Sequence, residues 1–435
     1  MKSGYTIFLA LTLLGGLLGC DPTVPAEPSS ETRTGVPASM VSVLPLAAGQ
    51  AEVVVKYQVP LTEPQVVLSV QDSAGRSLPV RAQSAQVVGT FSLSTYQVDG
   101  LAAGTRYLFS LQSFYTTQDT VTVERTYRHQ PGTAWRRLPH APLHRGDYTG
   151  APLTDGVPGG NAALLSVMRY IDATTWESAF YDLGQGTWTL RPSPPLSPRQ
   201  GLVRFRLSAG TYFCGLGYVV NDKIPGKKVY VKDLWTVPSL TATSLSTVFP
   251  AYQGTDGDLA YFTLGAYAYF LTQEGPPAVW SLHDTWEQSP RQPFPEPPGR
   301  LATFTLGGLG YVLNQVPGQP PHLYAYDPTR DVWTRRADFP GTSRRLGTAF
   351  AGGSKGYFGL GIAPSGEGLR DLWAYDPTNN QWYYATDYPG QGQQYLVATT
   401  VGTQVLLGWG YETQIVRGTS ARRLVGCTDF WEFTP

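Results

Sequence analysis

The sequence predicts an all-β chain in which a small β-domain precedes a longer array of repeated sheets. Composition points there first, because 48 Gly and 36 Pro in 435 residues are the residues that end strands and shape turns. Tryptophan is the second indicator: all 11 lie at or after Trp135, so a boundary between two cores falls just before it. The third is a unit that recurs at an offset of 49 residues in the C-terminal half.

Lys2 is the only charged residue before an apolar stretch over 5–18, which is too short for a membrane span and is followed by small residues. Residues 1–19 are therefore expected to be an export signal. The stretch ends in Leu17-Leu18-Gly19-Cys20, which resembles the lipobox of bacterial lipoproteins. That resemblance implies cleavage before Cys20, lipidation of Cys20, and a membrane partner held through the N-terminal lipid anchor. The expected location is the bacterial cell envelope, at the outer membrane or cell surface, with the side left open. Residues 20–36 carry Pro22, Pro25, Pro28 and a Ser29-Ser30-Glu31-Thr32 patch and have little to bury, so they read as an extended tether.

Charge excludes one class of partner. Lys and Arg number 32 against 32 Asp and Glu, which leaves no electrostatic footprint for nucleic acid. Cys214 and Cys427 are the only cysteines besides Cys20, too few for a disulfide scaffold, and no Cys/His spacing suggests zinc. A single bridge between them stays open. Neither a metal nor a cofactor is expected.

Residues 37–130 contain short strand-like runs at 52–59, 65–71, 90–98, 105–114 and 121–128, separated by turns such as Asp72-Ser73-Ala74-Gly75. Tyr107, Phe109 and Leu111 alternate with polar neighbours, the mark of one buried strand face. The pattern predicts a β-sandwich. The segment Gly100-Leu101-Ala102-Ala103-Gly104-Thr105-Arg106-Tyr107 resembles the corner before the F strand of fibronectin type III domains. Those domains also carry a Trp in an early strand, which this segment lacks, so other Ig-like sandwiches stay open.

Residues 131–435 are periodic. Tyr326-Asp327-Pro328-Thr329 leads to Trp333 and to Asp338-Phe339-Pro340-Gly341. Tyr375-Asp376-Pro377-Thr378 leads in the same spacing to Trp382 and Asp387-Tyr388-Pro389-Gly390, and Tyr181-Asp182 to Trp188. Upstream of each third strand stands a glycine step: Gly215-Leu216-Gly217, Gly359-Leu360-Gly361 and Gly408-Trp409-Gly410. Asp233-Leu234-Trp235, Asp371-Leu372-Trp373 and Asp429-Phe430-Trp431 follow. This order resembles kelch repeats, and the resemblance implies a β-propeller whose units are four-stranded blades.

Outer-strand positions fall at Trp135, Trp188, near Leu245, Trp286, Trp333 and Trp382, and the chain stops soon after Trp431 with the last unit one strand short. Trp135 can supply that strand. The expectation is a six-bladed kelch-type propeller closed by its own N-terminal strand, which removes unpaired sheet edges.

Most repeated aromatics should fill the wedges between sheets. Trp409 interrupts a glycine step and is a candidate for stacking on a sugar ring. Arginines precede the innermost strand in several units: Arg145, Arg199, Arg300 and Arg345, with Arg344 beside the last. At a channel mouth their guanidinium groups would bind a carboxylate bidentately; otherwise each pins its own loop by bonding backbone carbonyls.

The chain carries no nucleophile elbow, phosphate loop or zinc His pair, and Asp256-Gly257-Asp258 lacks the further ligands of a calcium loop. Copper radical oxidases share the kelch fold, but His140, His144, His283 and His322 do not match their ligand pattern. The leading expectation is a monomeric, non-catalytic surface protein binding a glycan or protein. The alternative is a carbohydrate-modifying propeller enzyme similar to sialic acid mutarotase, for which Asp256, Asp258 and Glu412 offer a base that spacing does not select.

Overall fold

The computed structural model describes residues 38–46, 49–58, 65–88, 91–116, 119–131, 134–143, 164–170, 176–191, 202–207, 212–220, 228–237, 242–244, 259–272, 277–401, 403–415 and 422–435. The signal segment, Cys20, the tether, Arg145, Arg199 and the position near Leu245 lie outside them. Every regular element among the described residues is a β-strand, and every sheet is antiparallel between neighbours. The architecture is all-β and propeller-like.

The N-terminal strands form two sheets. Ser39–Pro45, Gln50–Gln58, Phe91–Asp99 and Val80–Val88 make one, and Gln65–Asp72, Arg106–Thr116 and Asp119–Arg128 the other. Val53 and Val55 from the first meet Val70, Phe109, Leu111 and Tyr127 from the second in one apolar cluster. Strand alternation places them there, as it placed Tyr107 and Phe109 in the sequence. The Tyr107 hydroxyl accepts the Ala102 amide at 2.7 Å, and Leu101 is buried beside the same corner. Ser39–Pro45 and Val80–Val88 were not among the expected strands.

From Ala134 onward the strands form a succession of sheets, each running outward in chain order. Four-stranded sheets begin at Val203–Arg206, Ala260–Leu264, Arg300–Leu306, Thr348–Gly352 and Val397–Val401; Leu164–Tyr170 begins a three-stranded one. These first strands line the inside. The Thr303 hydroxyl donates to Tyr261 O, and the Thr400 hydroxyl donates to Ala351 O, each linking a first strand to that of the preceding sheet.

The last sheet takes its outer strand from the beginning of the array. Ala134–Leu138 pairs with Phe430–Thr434, with Trp135 opposite Phe433. A repeated tie then joins sheet to sheet. The outer Trp333 and Trp382 donate their indole N–H to Gln292 O and Ala337 O of the preceding sheet, at 3.0 and 2.9 Å. Trp188 makes the same bond to Pro139 O, just after the closing strand, at 2.9 Å. The first and last sheets are thus joined by the same bond that Trp333 and Trp382 make, and Leu138, Tyr181, Leu406 and Phe430 share one core across that seam. Trp286 differs from expectation: it occupies a left-handed turn (φ 71°) before the outer strand Gln288–Arg291 and packs on Phe213 of the sheet before.

The repeated motifs have local causes. In Tyr-Asp-Pro-Thr, the Asp carboxylate accepts the amide and hydroxyl of the Thr two residues on, at Asp327 and again at Asp376, fixing the turn to the outer strand. In the glycine step, a Cβ at Gly215, Gly359 or Gly408 would overlap the carbonyl oxygen of Asp233, Asp371 or Asp429. The middle residues Leu216, Leu360 and Trp409 take left-handed φ of 58°, 61° and 54° and turn the chain out of the sheet. Each of the three Asp residues also accepts the indole N–H of its own Trp two residues later.

Candidate functional site

Chain that leaves the fifth and last sheets at their glycine steps folds back toward the starts of their innermost strands. Residues 361–370 do so in the fifth sheet, and the hairpin Tyr411–Ile415 with Arg422–Gly426 in the last. Each returns to pair with the loop that precedes its own innermost strand: Arg345 with Ile362, and Gln394 with Tyr411. The end at which the innermost strands start therefore carries Arg300, Arg345 and residues 393–395.

Arg300 is the first residue of its strand, and its guanidinium carbon lies 5.0 Å from the ring centre of Tyr395, two sheets further round. That contact spans the start of the intervening sheet, so Arg300 and Tyr395 face one shared opening. Tyr395 holds φ 52° and packs edge-on against Tyr411. Arg345 exposes its side chain at the same end and forms no ion pair among the described residues, while its backbone is fixed in the bridge to Ile362.

Arg344 does the opposite of its neighbour. Its side chain is 0% exposed and forks onto Asp371, Nη1 to Oδ1 at 2.9 Å and Nη2 to Oδ2 at 2.8 Å. It also donates to Leu360 O and Thr342 O and lies over the Phe339 ring at 4.6 Å. Burial pushes the Asp371 carboxyl up, but the Arg344 bonds and charge hold it below the usual carboxylate range. Arg344 is a clamp within its own sheet and is corrected from the ligand-binding set.

Trp409 is corrected as well. It is 1% exposed, lies in the core shared by the first and last sheets, and donates its indole N–H to Leu143 O at 2.7 Å. A ring packed in this way presents no face to a sugar. Cys214 and Cys427 are both buried.

Several residues at this end were not singled out from the sequence. Arg370 closes the 361–370 insertion, donates to Gly390 O and stands 3.5 Å from Glu412 on the last sheet's hairpin. Gln394 donates from its side-chain amide to the Thr413 hydroxyl. Gln315 accepts the Gly347 amide at 2.9 Å, tying the fourth sheet to the fifth at the opening. The signal was available: Gln393 and Gln394 stand 49 residues after Arg344 and Arg345, in the repeat's own frame.

The N-terminal sheets form one compact unit with the sheets that follow, and they meet them at residues 387–389. Arg128 N–H donates to Asp387 Oδ2 at 2.7 Å, and Tyr384 O–H to Asp387 Oδ1 at 2.8 Å. Burial raises the Asp387 carboxyl despite these donors. Arg125, buried, donates to Tyr388 O at 3.0 Å and to Pro389 O.

No family model matches the chain, and no curated protein matches it. Among solved structures, one described as "Structure of YjhT" is similar over 67% of this chain and 96% of that one, at 15% identity and a TM-score of 0.44.

Proposed function

We propose that this is a lipid-anchored binding protein of the bacterial cell envelope, without catalysis of its own, whose propeller recognises a glycan or protein ligand at the opening flanked by Arg300 and Arg345. In this reading the propeller is six-bladed and kelch-type, and the N-terminal domain is a fibronectin III-like sandwich. The repeated indole tie, the same at Trp188, Trp333 and Trp382, supports the ring. The Tyr107 hydroxyl bonded back to Ala102 N–H supports the sandwich, since such domains carry a tyrosine corner of this kind. The lipid anchor rests on Leu17-Leu18-Gly19-Cys20.

One observation carries the functional reading: of two adjacent arginines, Arg344 is wholly occupied with its own sheet, whereas Arg345 is exposed and forms no ion pair among the described residues. An exposed planar cation with no ion-pair partner among the described residues suits a carboxylate, so an acidic glycan is the ligand chemistry that fits best.

The test is a glycan array probed with the full chain, Cys20→Ser so that it is free of lipid, alongside anomer exchange of free N-acetylneuraminic acid. Retention on acidic glycans is expected, weakened about tenfold by Arg345→Ala, with no acceleration of anomer exchange. Exchange that is accelerated by the protein and abolished by Arg345→Ala would replace the binding module with a ring-opening enzyme. Silence in both assays would point to a protein ligand.

A further inference from the structure

The fifth and last sheets carry the same loop ahead of the innermost strand, 49 residues apart, and differ in what holds it. Asp338, Phe339, Pro340 and Gly341 correspond to Asp387, Tyr388, Pro389 and Gly390. Leu346 and Tyr395 both take left-handed φ, 61° and 52°, and the Arg345 bridge to Ile362 corresponds to the Gln394 bridge to Tyr411. In the fifth sheet the loop is held from within, by the buried Arg344 forked onto Asp371. In the last sheet Gln393 stands in the place of Arg344, and its side-chain amide turns back to Gln391 O. Asp429, the counterpart of Asp371, receives no arginine: Oδ2 accepts Trp431 N–H and Gln391 N–H, and Oδ1 is buried without a partner among the described residues.

A cation reaches this loop from the N-terminal sheets instead. Arg125, on the strand Asp119–Arg128, places Nη2 3.0 Å from Tyr388 O and both terminal nitrogens within 3.4 Å of Pro389 O. Val43 N–H adds a bond to Pro389 O at 3.2 Å, and Arg370 donates to Gly390 O. Three successive carbonyls are thus fixed at the root of a loop whose far end presents Tyr395 to Arg300.

We infer that Arg125 is a positioning residue for the ligand opening: it replaces, from the N-terminal domain, the clamp that Arg344 provides within the fifth sheet, so that this domain is part of the binding apparatus and not a spacer. The consequence for ligand affinity rests on the acidic-glycan reading above; the consequence for the loop does not. Fixing a loop before binding saves the ligand the cost of ordering it.

The experiment follows amide hydrogen exchange in the full chain with Cys20→Ser, comparing Arg125→Met with the parent. Gln393 and Gln394 amides, both bonded to Tyr411 O, report the loop; residues 341–347, held by Arg344, serve as the internal reference. The expected result is exchange about tenfold faster at 393–394 with the reference unchanged. Arg128→Ala, which removes a cation lying 4.4 Å over Tyr384 but leaves the carbonyl fork, should not reproduce it. Should the methionine variant fail to fold, Arg125→Lys keeps the charge, loses the fork and should give a smaller rise at the same two amides. Exchange that is unchanged, or faster equally in both loops, would overturn the inference. In parallel, titration with N-acetylneuraminic acid should show an affinity loss of about five- to tenfold in Arg125→Met. Parent protein that does not bind this acid would overturn the acidic-glycan reading, and the exchange result would still decide the role of Arg125. Faster loop exchange with unchanged affinity would overturn the positioning role.

Discussion

Arg344 and Arg345 are adjacent in sequence and opposite in fate, because successive side chains of an extended segment point to opposite sides. One enters the space between Phe339 and Asp371; the other faces solvent. Sequence could place both near an innermost strand, but not say which one would be consumed. Breaking a buried pair leaves a charge without compensation, so Arg344→Met should destabilise the chain by about 3–5 kcal/mol at neutral pH, measured by denaturant unfolding. Asp371 has a folded pKa below its unfolded value. Its pair therefore contributes fully above the unfolded pKa and is lost as pH falls through the lower, folded one. The gap between parent and variant should accordingly shrink below about pH 4. Trp409 teaches the reverse lesson: a residue that broke the repeat pattern was filling the seam between the first and last sheets, where a Leu would leave Leu143 O without its donor.

At the scale of the element, the glycine step couples two motifs that are well separated in sequence. The first glycine lies against the carbonyl of the Asp that opens the third strand, and that Asp binds the indole of its own Trp. Gly359→Ala forces Cβ onto Asp371 O, which is backbone and cannot rotate away. A loss of about 1–3 kcal/mol is expected, read as a lower midpoint in urea at unchanged slope. An unchanged midpoint would show that the third strand is free to shift. These motifs were legible because each is local and repeated. Two N-terminal strands were not. Ser39–Pro45 carries a register shift between Met40 and Ser42 that breaks its alternation, and Val80–Val88 is exposed along residues 81–87, so burial leaves no period-two mark on it. Tertiary pairing with Phe91–Asp99 makes Val80–Val88 a strand.

For the molecule as a whole, the proposed ring would account for the opening, because the starts of the innermost strands converge when the sheets are arranged around an axis. The counting of Trp residues foresaw that Trp135 would complete the last sheet, and the pairing of Ala134–Leu138 with Phe430–Thr434 agrees with it. The opening itself was only half legible. Arg300 and Arg345 stood out as arginines ahead of strands, whereas Tyr395, Arg370 and the docking of Arg125 depend on contacts between distant segments. The seam is accessible to a direct test. Arg136 and Glu432 face each other in register across it, 296 residues apart in the chain. With Cys20, Cys214 and Cys427 replaced by Ser, Arg136→Cys and Glu432→Cys should form an internal disulfide on mild oxidation. It would be seen as a monomer of faster mobility on a non-reducing gel, and closing so long a loop should raise stability by about 2–4 kcal/mol. Failure to cross-link in folded protein, or cross-links only between molecules, would contradict the closed ring.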